Sequence, residues 1–305
     1  MIWVLVRKLL RDIWLAWIVV ATLLFLFQIL WARITMRVTT QILAAFERAG
    51  VSRDLIMQIL LNQNANGQSN EFLGQMIQAI VGGENIELDK ASDFMSVAYM
   101  HPLVLSILGI WAIGRAANAI AGEIDRGTME LLLAQPIRRL QIISAHLVVD
   151  VVVFPTLALA MWVGTYFGTL WMGLQDSDTP RQHVDPLIYL PALMCVWMLL
   201  FAVSGVTMAI SSLVRGRGYV WGTAVTLFLL MFFINIFGQM WPEVLEPLRP
   251  ITVHYHYQPQ VMIQNPLWYK LGSVWGHLAY LGGVGAAGYG FAAWWFCRRD
   301  LPAPL

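Results

Sequence analysis

Runs of about twenty residues with little or no charge decide what this chain can fold into, because that length spans a hydrocarbon core of about 30 Å. The stretch "IWLAWIVVATLLFLFQILW", residues 13–31, is the first of them. Five more follow at 97–117, 146–172, 187–213, 219–237 and 274–296. Charged residues make up only 12% of the 305, about half the share of a soluble domain. A soluble helical fold would need polar faces that these runs lack. The sequence therefore predicts an all-α integral membrane protein, one transmembrane domain over 1–305 with six transmembrane helices.

Residues 1–12, "MIWVLVRKLLRD", are amphipathic. They predict an N-terminal interfacial helix with Arg7, Lys8 and Arg11 toward headgroups and Ile2, Val4, Leu5 and Leu9 dipping into lipid. An extension of the first span is the competing reading. A cleaved signal is not expected, since the apolar run is too long and no small-residue cleavage site follows. Lys and Arg crowd the short segments that hold Arg7, Arg115, Arg126, Arg138, Arg139, Arg215, Arg217, Arg298 and Arg299, which puts both termini and residues 122–140 inside: N-in/C-in. Residues 33–94 then form an external amphipathic segment, with Ser52 and Ser69 as helix caps and Leu55, Ile56, Ile59 and Leu60 as one apolar face. A second outer segment, "LQDSDTPRQHVD", is a polar loop. The third, about 238–271, is rich in Pro and aromatics and predicts short surface or re-entrant helices.

Residues 122–140, "GEIDRGTMELLLAQPIRRL", carry six charges between two apolar runs. Asp125 or Thr128 is a candidate cap for a short helix through "MELLLAQ", which Pro136 ends. Leu131, Leu132 and Leu133 give it an apolar edge; Glu123, Asp125, Arg126 and Glu130 give it a charged one. On residue chemistry alone, a docking helix for a soluble protein and an ordinary interfacial loop fit equally.

The longer string "GEIDRGTMELLLAQPIRRLQIISAHL" resembles the segment between the second and third spans of permease subunits of type-2 ATP-binding-cassette (ABC) transporters. The shared pattern is an acidic pair, Gly-Thr, an acid, a leucine run, then Pro and basic residues. The six-span plan, the basic N-terminal helix and the ending "FCRRDLPAPL" agree, so the resemblance covers essentially the whole chain. It implies a cytoplasmic coupling helix that sits in a groove of a separate ABC ATPase subunit, with Glu123, Asp125, Arg126, Gly127, Thr128, Glu130 and Pro136 at that interface. It also implies a second permease subunit, as homodimer or heterodimer, ATP-Mg in the partner ATPase with no cofactor in this chain, and a bacterial cytoplasmic (inner) membrane. Within the family the sequence looks closest to permeases linked to multi-copper enzyme maturation. The long segment after the first span departs from the simpler members and leaves the substrate open.

The division of labour agrees with the residues. A P-loop needs a Gly-Lys pair, and the three lysines, Lys8, Lys90 and Lys270, follow Arg7, Asp89 and Tyr269. No nucleotide site is expected here, and export or outer-face work would be powered by the partner. A non-transporting scaffold or mechanotransmission subunit is the alternative. An intramembrane enzyme fits less well, for no HExxH and no Ser/His or paired-Asp set lies in the spans. A net charge of +1 gives no nucleic-acid footprint.

Ionisable groups at membrane depth are functional hypotheses by default. Asp150, near His146 in the third span, and Arg115 in the second form a candidate intramembrane pair: a staple between spans is favoured, a role in gating or substrate contact is the second reading, and no pairing the third. Pro155 predicts a kink in the third span. Asn235 and Gln239 line a pathway or cross-link helices. In "GGVGAAGYG", Gly282, Ala286 and Gly290 predict a packing stripe. His254 and His256, with His183, are candidate metal ligands against an interface-loop reading, and no metal is assigned. Cys195 and Cys297 are read as inert thiols.

Overall fold

The computed structural model describes residues 2–49 and 90–299, and among these it is helical with no strand. Helix α1 spans Ile2–Ala49, α2 Ala91–Met100 and α3 Pro102–Ala119. Two short helices follow, α4 at Ala121–Asp125 and α5 at Met129–Leu133, and then the long α6 at Arg139–Trp171. The α-helices that follow are α7 at Ala192–Leu213, α8 at Arg217–Met240, α9 at Pro242–Leu245, α10 at Pro259–Gln264 and α11 at Gly272–Arg298, with short 3-10 turns at Pro186–Tyr189, Glu246–Ile251 and Trp268–Lys270. Five stretches are long and apolar enough to cross a membrane: Ile2–Gln41, Ala91–Ala119, Arg139–Trp171, Pro186–Leu213 and Arg217–Met240. Helix α11 has the length, at 27 residues. Its glycines, tryptophans and His277 hold its hydropathy below the other five.

Two boundaries differ from the sequence reading. Residues 2–12 do not form a separate interfacial helix, since α1 runs unbroken for 48 residues. "RKLLRDIW" contains no Gly or Pro to break it. Leu5 and Val6 are buried against protein instead of dipping into lipid. The same helix continues past 31, so the segment expected to be external begins as α1; Ser52, Ser69 and the 55–60 face lie outside the described residues. The second span is two helices, broken at His101. Pro102 forces extended backbone on the residue before it, and His101 has ψ 133 with its ring Nδ1 accepting from Leu103 N at 3.2 Å.

Glycines set the two closest helix contacts. Helices α1 and α6 run parallel, joined by Trp17 Nε1 donating to Thr156 Oγ1 at 2.9 Å. A Cβ on Gly164 would stand 2.5 Å from Phe25 O, and one on Gly168 2.9 Å from Ala32 Cβ. The spacing in "GTYFG" is the small-residue signal that sequence reasoning passed over. Helices α7 and α11 also run parallel, with Gly205 against Gly285 and Gly288. The predicted stripe of Gly282, Ala286 and Gly290 is therefore not the packing face. Ala286 and Gly290 are exposed, and a Cβ on Gly290 would meet nothing within 4 Å. Helix rotation is set by Gly205, which turns Leu281, Gly285, Gly288 and Ala292 inward.

The start of α1, the corner α4–α5 and the end of α11 gather at one end of the bundle. Arg139 Nη1, at the start of α6, donates to Phe296 O at 3.1 Å and also to Arg299 O. Arg299 Nη1 in turn donates to Ser212 O at 2.7 Å, so one arginine holds the C-terminus of α11 and the next holds that of α7. Exposed Trp3, Tyr219, Trp294 and Trp295 ring this end, and Trp171, Trp241, Tyr269 and Trp275 ring the other. Two such belts suit a chain seated across a bilayer. Overpacking a tight contact costs about 1–3 kcal/mol, so Gly205→Ala, whose Cβ would lie 2.3 Å from Gly285 O, should lower the melting temperature in detergent while Gly290→Ala leaves it unchanged.

Candidate functional site

The charged stretch folds as a corner. Helix α4 ends in a Schellman motif: Gly127 N donates to Ile124 O at 3.0 Å and Thr128 N to Glu123 O at 3.0 Å. That closure needs a left-handed residue, and Gly127 supplies it at φ +69°. Thr128 stands at the start of α5 without capping it. Its hydroxyl turns back and donates to the Glu123 carboxylate, which also pairs with Arg126 Nη2 at 2.8 Å. The expected cap by Asp125 or Thr128 is thus replaced by an internal clasp around Glu123. Helix α5 ends at Leu133, and Pro136 stands exposed beyond it.

The apolar edge also differs from expectation. Three successive leucines cannot share one face of a helix turning 100° per residue. Met129 is buried and Leu132 and Leu133 are partly buried, but Leu131 is 70% exposed. Around it stand exposed Asp125, Arg126, Gly127 and Glu130. Glu123 and Thr128 are half-buried and brace the loop. The outward surface is an apolar knob among opposite charges.

Behind the corner lies a buried polar network. Arg115 Nε on α3 donates to Asp150 Oδ1 on α6 as an ion pair. Asp150 Oδ2 accepts from Ser204 Oγ on α7 at 2.9 Å and from Tyr289 OH on α11, and those two hydroxyls are 2.9 Å apart. Arg115 Nη2 also donates to His146 O at 3.2 Å. All five residues are buried. Asp150 lies eleven residues beyond the first residue of α6, about 16 Å along the helix from Arg139 at 1.5 Å per residue. Four helices therefore meet on one carboxylate. Sequence reasoning missed Ser204 and Tyr289. One junction lies closer to the corner, where Ala121 N donates to Ser211 Oγ of α7 at 3.0 Å.

Residues 2–301 match the family model described as ABC-2 family transporter protein. The chain belongs to that family. No curated protein and no solved structure matches it. The protein is an integral membrane permease of an ABC transporter, a class that works with an ATPase subunit and is typically not itself catalytic.

At the far end of the permease the candidate metal histidines part company. His254 Nε2 lies 3.2 Å from Phe228 O, while His256 Nδ1 faces His277 Nδ1 at 2.8 Å. His183 is exposed on another loop. Among the described residues no three His, Cys, Asp or Glu side chains group to hold a metal. Asn235 Oδ1 is buried without a partner. A gap of about 20 Å3 between α7 and α8, room for about one water, is lined by apolar side chains such as Val203, Leu227 and Phe228, not by Asn235 or Gln239. Cys195 Sγ is buried against Met262 Sδ at 3.2 Å, and Cys297 is exposed.

Two predictions follow from this geometry. Removing one partner of a buried ion pair strands the other charge at a cost of about 3–5 kcal/mol. Arg115→Ala and Asp150→Ala should each destabilise the permease in detergent by about that much, and the double variant should cost much less than the sum in a thermal double-mutant cycle. Burial pushes His254 down to about 4. Its folded value lies below the ordinary one of about 6.5, so its contribution is present above pH 6.5 and is lost as pH falls toward 4. Melting temperature should drop over that window, and His254→Gln should flatten the drop.

Proposed function

We propose that an ABC ATPase subunit docks on the α4–α5 corner of this permease and drives movement of the bundle. The observation that carries this reading is the outward surface of the corner: Leu131 exposed among Asp125, Arg126, Gly127 and Glu130, on a loop clasped from within by Glu123 and Thr128. An apolar anchor ringed by charge is the anatomy of a protein interface. Pro136 closes the surface on the side toward α6. ATP-Mg belongs to the ATPase, and this chain contributes no nucleotide site.

The same reading takes α11 as the sixth span, supported by its length and its parallel run against α7. It places the corner and both termini in the cytoplasm of a bacterial cell, supported by Arg7, Lys8, Arg11, Arg126, Arg138 and Arg299 at that end. A second permease subunit completes the pathway. Helices α1 and α8 keep most of their apolar length uncovered within this chain, which leaves faces for that subunit and for lipid. The transported substrate is one moved outward or worked on at the outer face.

Copurification with the ATPase tests the docking surface. Truncating or reversing an interface anchor typically costs 2 kcal/mol or more, roughly a thirtyfold loss of affinity. Leu131→Asp and Glu130→Lys should each release the ATPase from the detergent-purified complex and uncouple its turnover, while the permease alone keeps its melting temperature. Full retention of the ATPase by both variants would overturn the reading.

A further inference from the structure

We infer that His256 and His277 form an acid-sensitive latch, which joins residues 250–256 to the start of α11 and opens when both rings are protonated. The pair lies at the end of the bundle opposite the α4–α5 corner. His256 Nδ1 faces His277 Nδ1 at 2.8 Å, and the ring centres are 5.0 Å apart. His256 Nε2 lies 2.8 Å from Pro250 O. Tyr280 completes the junction: its ring stacks on His256 at 3.8 Å, and its hydroxyl donates to Ile251 O at 2.8 Å.

The hydrogen bonds assign every proton in the neutral pair. A carbonyl only accepts, so His256 Nε2 holds that ring's proton and leaves Nδ1 a bare acceptor. The proton between the rings therefore belongs to His277 Nδ1. A first added proton enters at His277 Nε2, the nitrogen outside the latch, and strengthens the bond that His277 donates. A second has only His256 Nδ1 to occupy. There it sets one N–H against another at hydrogen-bond distance, between two like charges, and the contact must break.

The surroundings do not offset the second charge. Tyr255 packs edge-on against both rings, and Arg249 lies over the Tyr255 ring at 5.3 Å, a further positive charge. Among the described residues no carboxylate pairs with either histidine. Burial holds His256 below its ordinary value of about 6.5. Its contribution to the latch is therefore whole above that pH and is lost as pH falls below it. The same segment carries His254, whose Nε2 lies 3.2 Å from Phe228 O of α8. Residues 250–256 thus clip α8 to α11, and acid loosens that clip. The proposed orientation puts this end outside the cell, but the latch depends neither on that orientation nor on ATPase docking.

Hydrogen–deuterium exchange of the full-length permease in detergent tests the latch, with rates corrected for the intrinsic effect of pH. Tyr255 N donates to Thr252 Oγ1 and Tyr257 N to His254 O, so these amides report opening. Their protection should fall at least roughly tenfold between about pH 7.5 and 5, with a slope steeper than one proton gives. The glutamine amide can donate and accept as the neutral ring does but takes no charge. His256→Gln and His277→Gln should therefore each hold their protection through the acid range. A variant too short to re-form the bond should instead sit at the wild type's acid level at every pH. His254→Gln should leave the fall in place. Flat wild-type protection over this range would overturn the inference. So would a fall that persists in both His256→Gln and His277→Gln, or one that His254→Gln alone abolishes.

Discussion

The carboxylate of Asp150 is the constraint on which the rest of this permease depends. A charge removed from water is tolerable only when it is paired and every lone pair is met. Here the partners come from three other helices: Arg115 from α3, Ser204 from α7 and Tyr289 from α11. The glycine contacts make that convergence possible. Ser204 adjoins Gly205 and Tyr289 adjoins Gly288, so the close approach of the α7 and α11 backbones delivers both hydroxyls to one oxygen. Replacing either glycine with a larger residue would therefore separate the hydroxyls as well as the helices.

The same network bears on how work at the surface would reach the membrane. The α4–α5 corner hangs between α3 and α6, and those two helices are pinned by Arg115 and Asp150. A relative movement of α3 or α6 would have to carry α7 and α11 along or break their bonds to Asp150. Two further ties reinforce this end, Ser211 under the start of α4 and the arginine caps running from α6 to α11 to α7. Packed helices joined this way move as bodies by small shear steps.

Much of the fold was legible in sequence because a membrane imposes coarse rules. Apolar length marks helices, and clustered Arg and Lys mark one end. Pro102 carried the signal for the break at His101, and the absence of any breaker between Lys8 and Trp17 the signal for α1's continuity, but reading 97–117 as one span and 1–12 as a separate helix passed over both. Helix rotation was not legible. In "GGVGAAGYG" small residues occur at every spacing, so the sequence allows several stripes, and only the mate at Gly205 selects Gly285 and Gly288. For the same reason Ser204 and Tyr289 read as incidental polar groups in apolar runs. Pairwise charge reasoning brings Asp150 and Arg115 to notice, but neutral hydroxyl partners carry no such signal. Within the corner, Gly127 had a readable role as a left-handed helix terminator, whereas the inward turn of Glu123 depends on a clasp across five residues.

Chemical crosslinking at the corner tests the central claim most directly. With the exposed thiol removed by Cys297→Ser, Leu131→Cys should form an oxidation-dependent or bifunctional crosslink to the ATPase subunit in membranes. Leu170→Cys, exposed at the opposite end of the bundle, should form none. Crosslinking at Leu170 and not at Leu131, or at neither in a complex that still copurifies, would contradict the account.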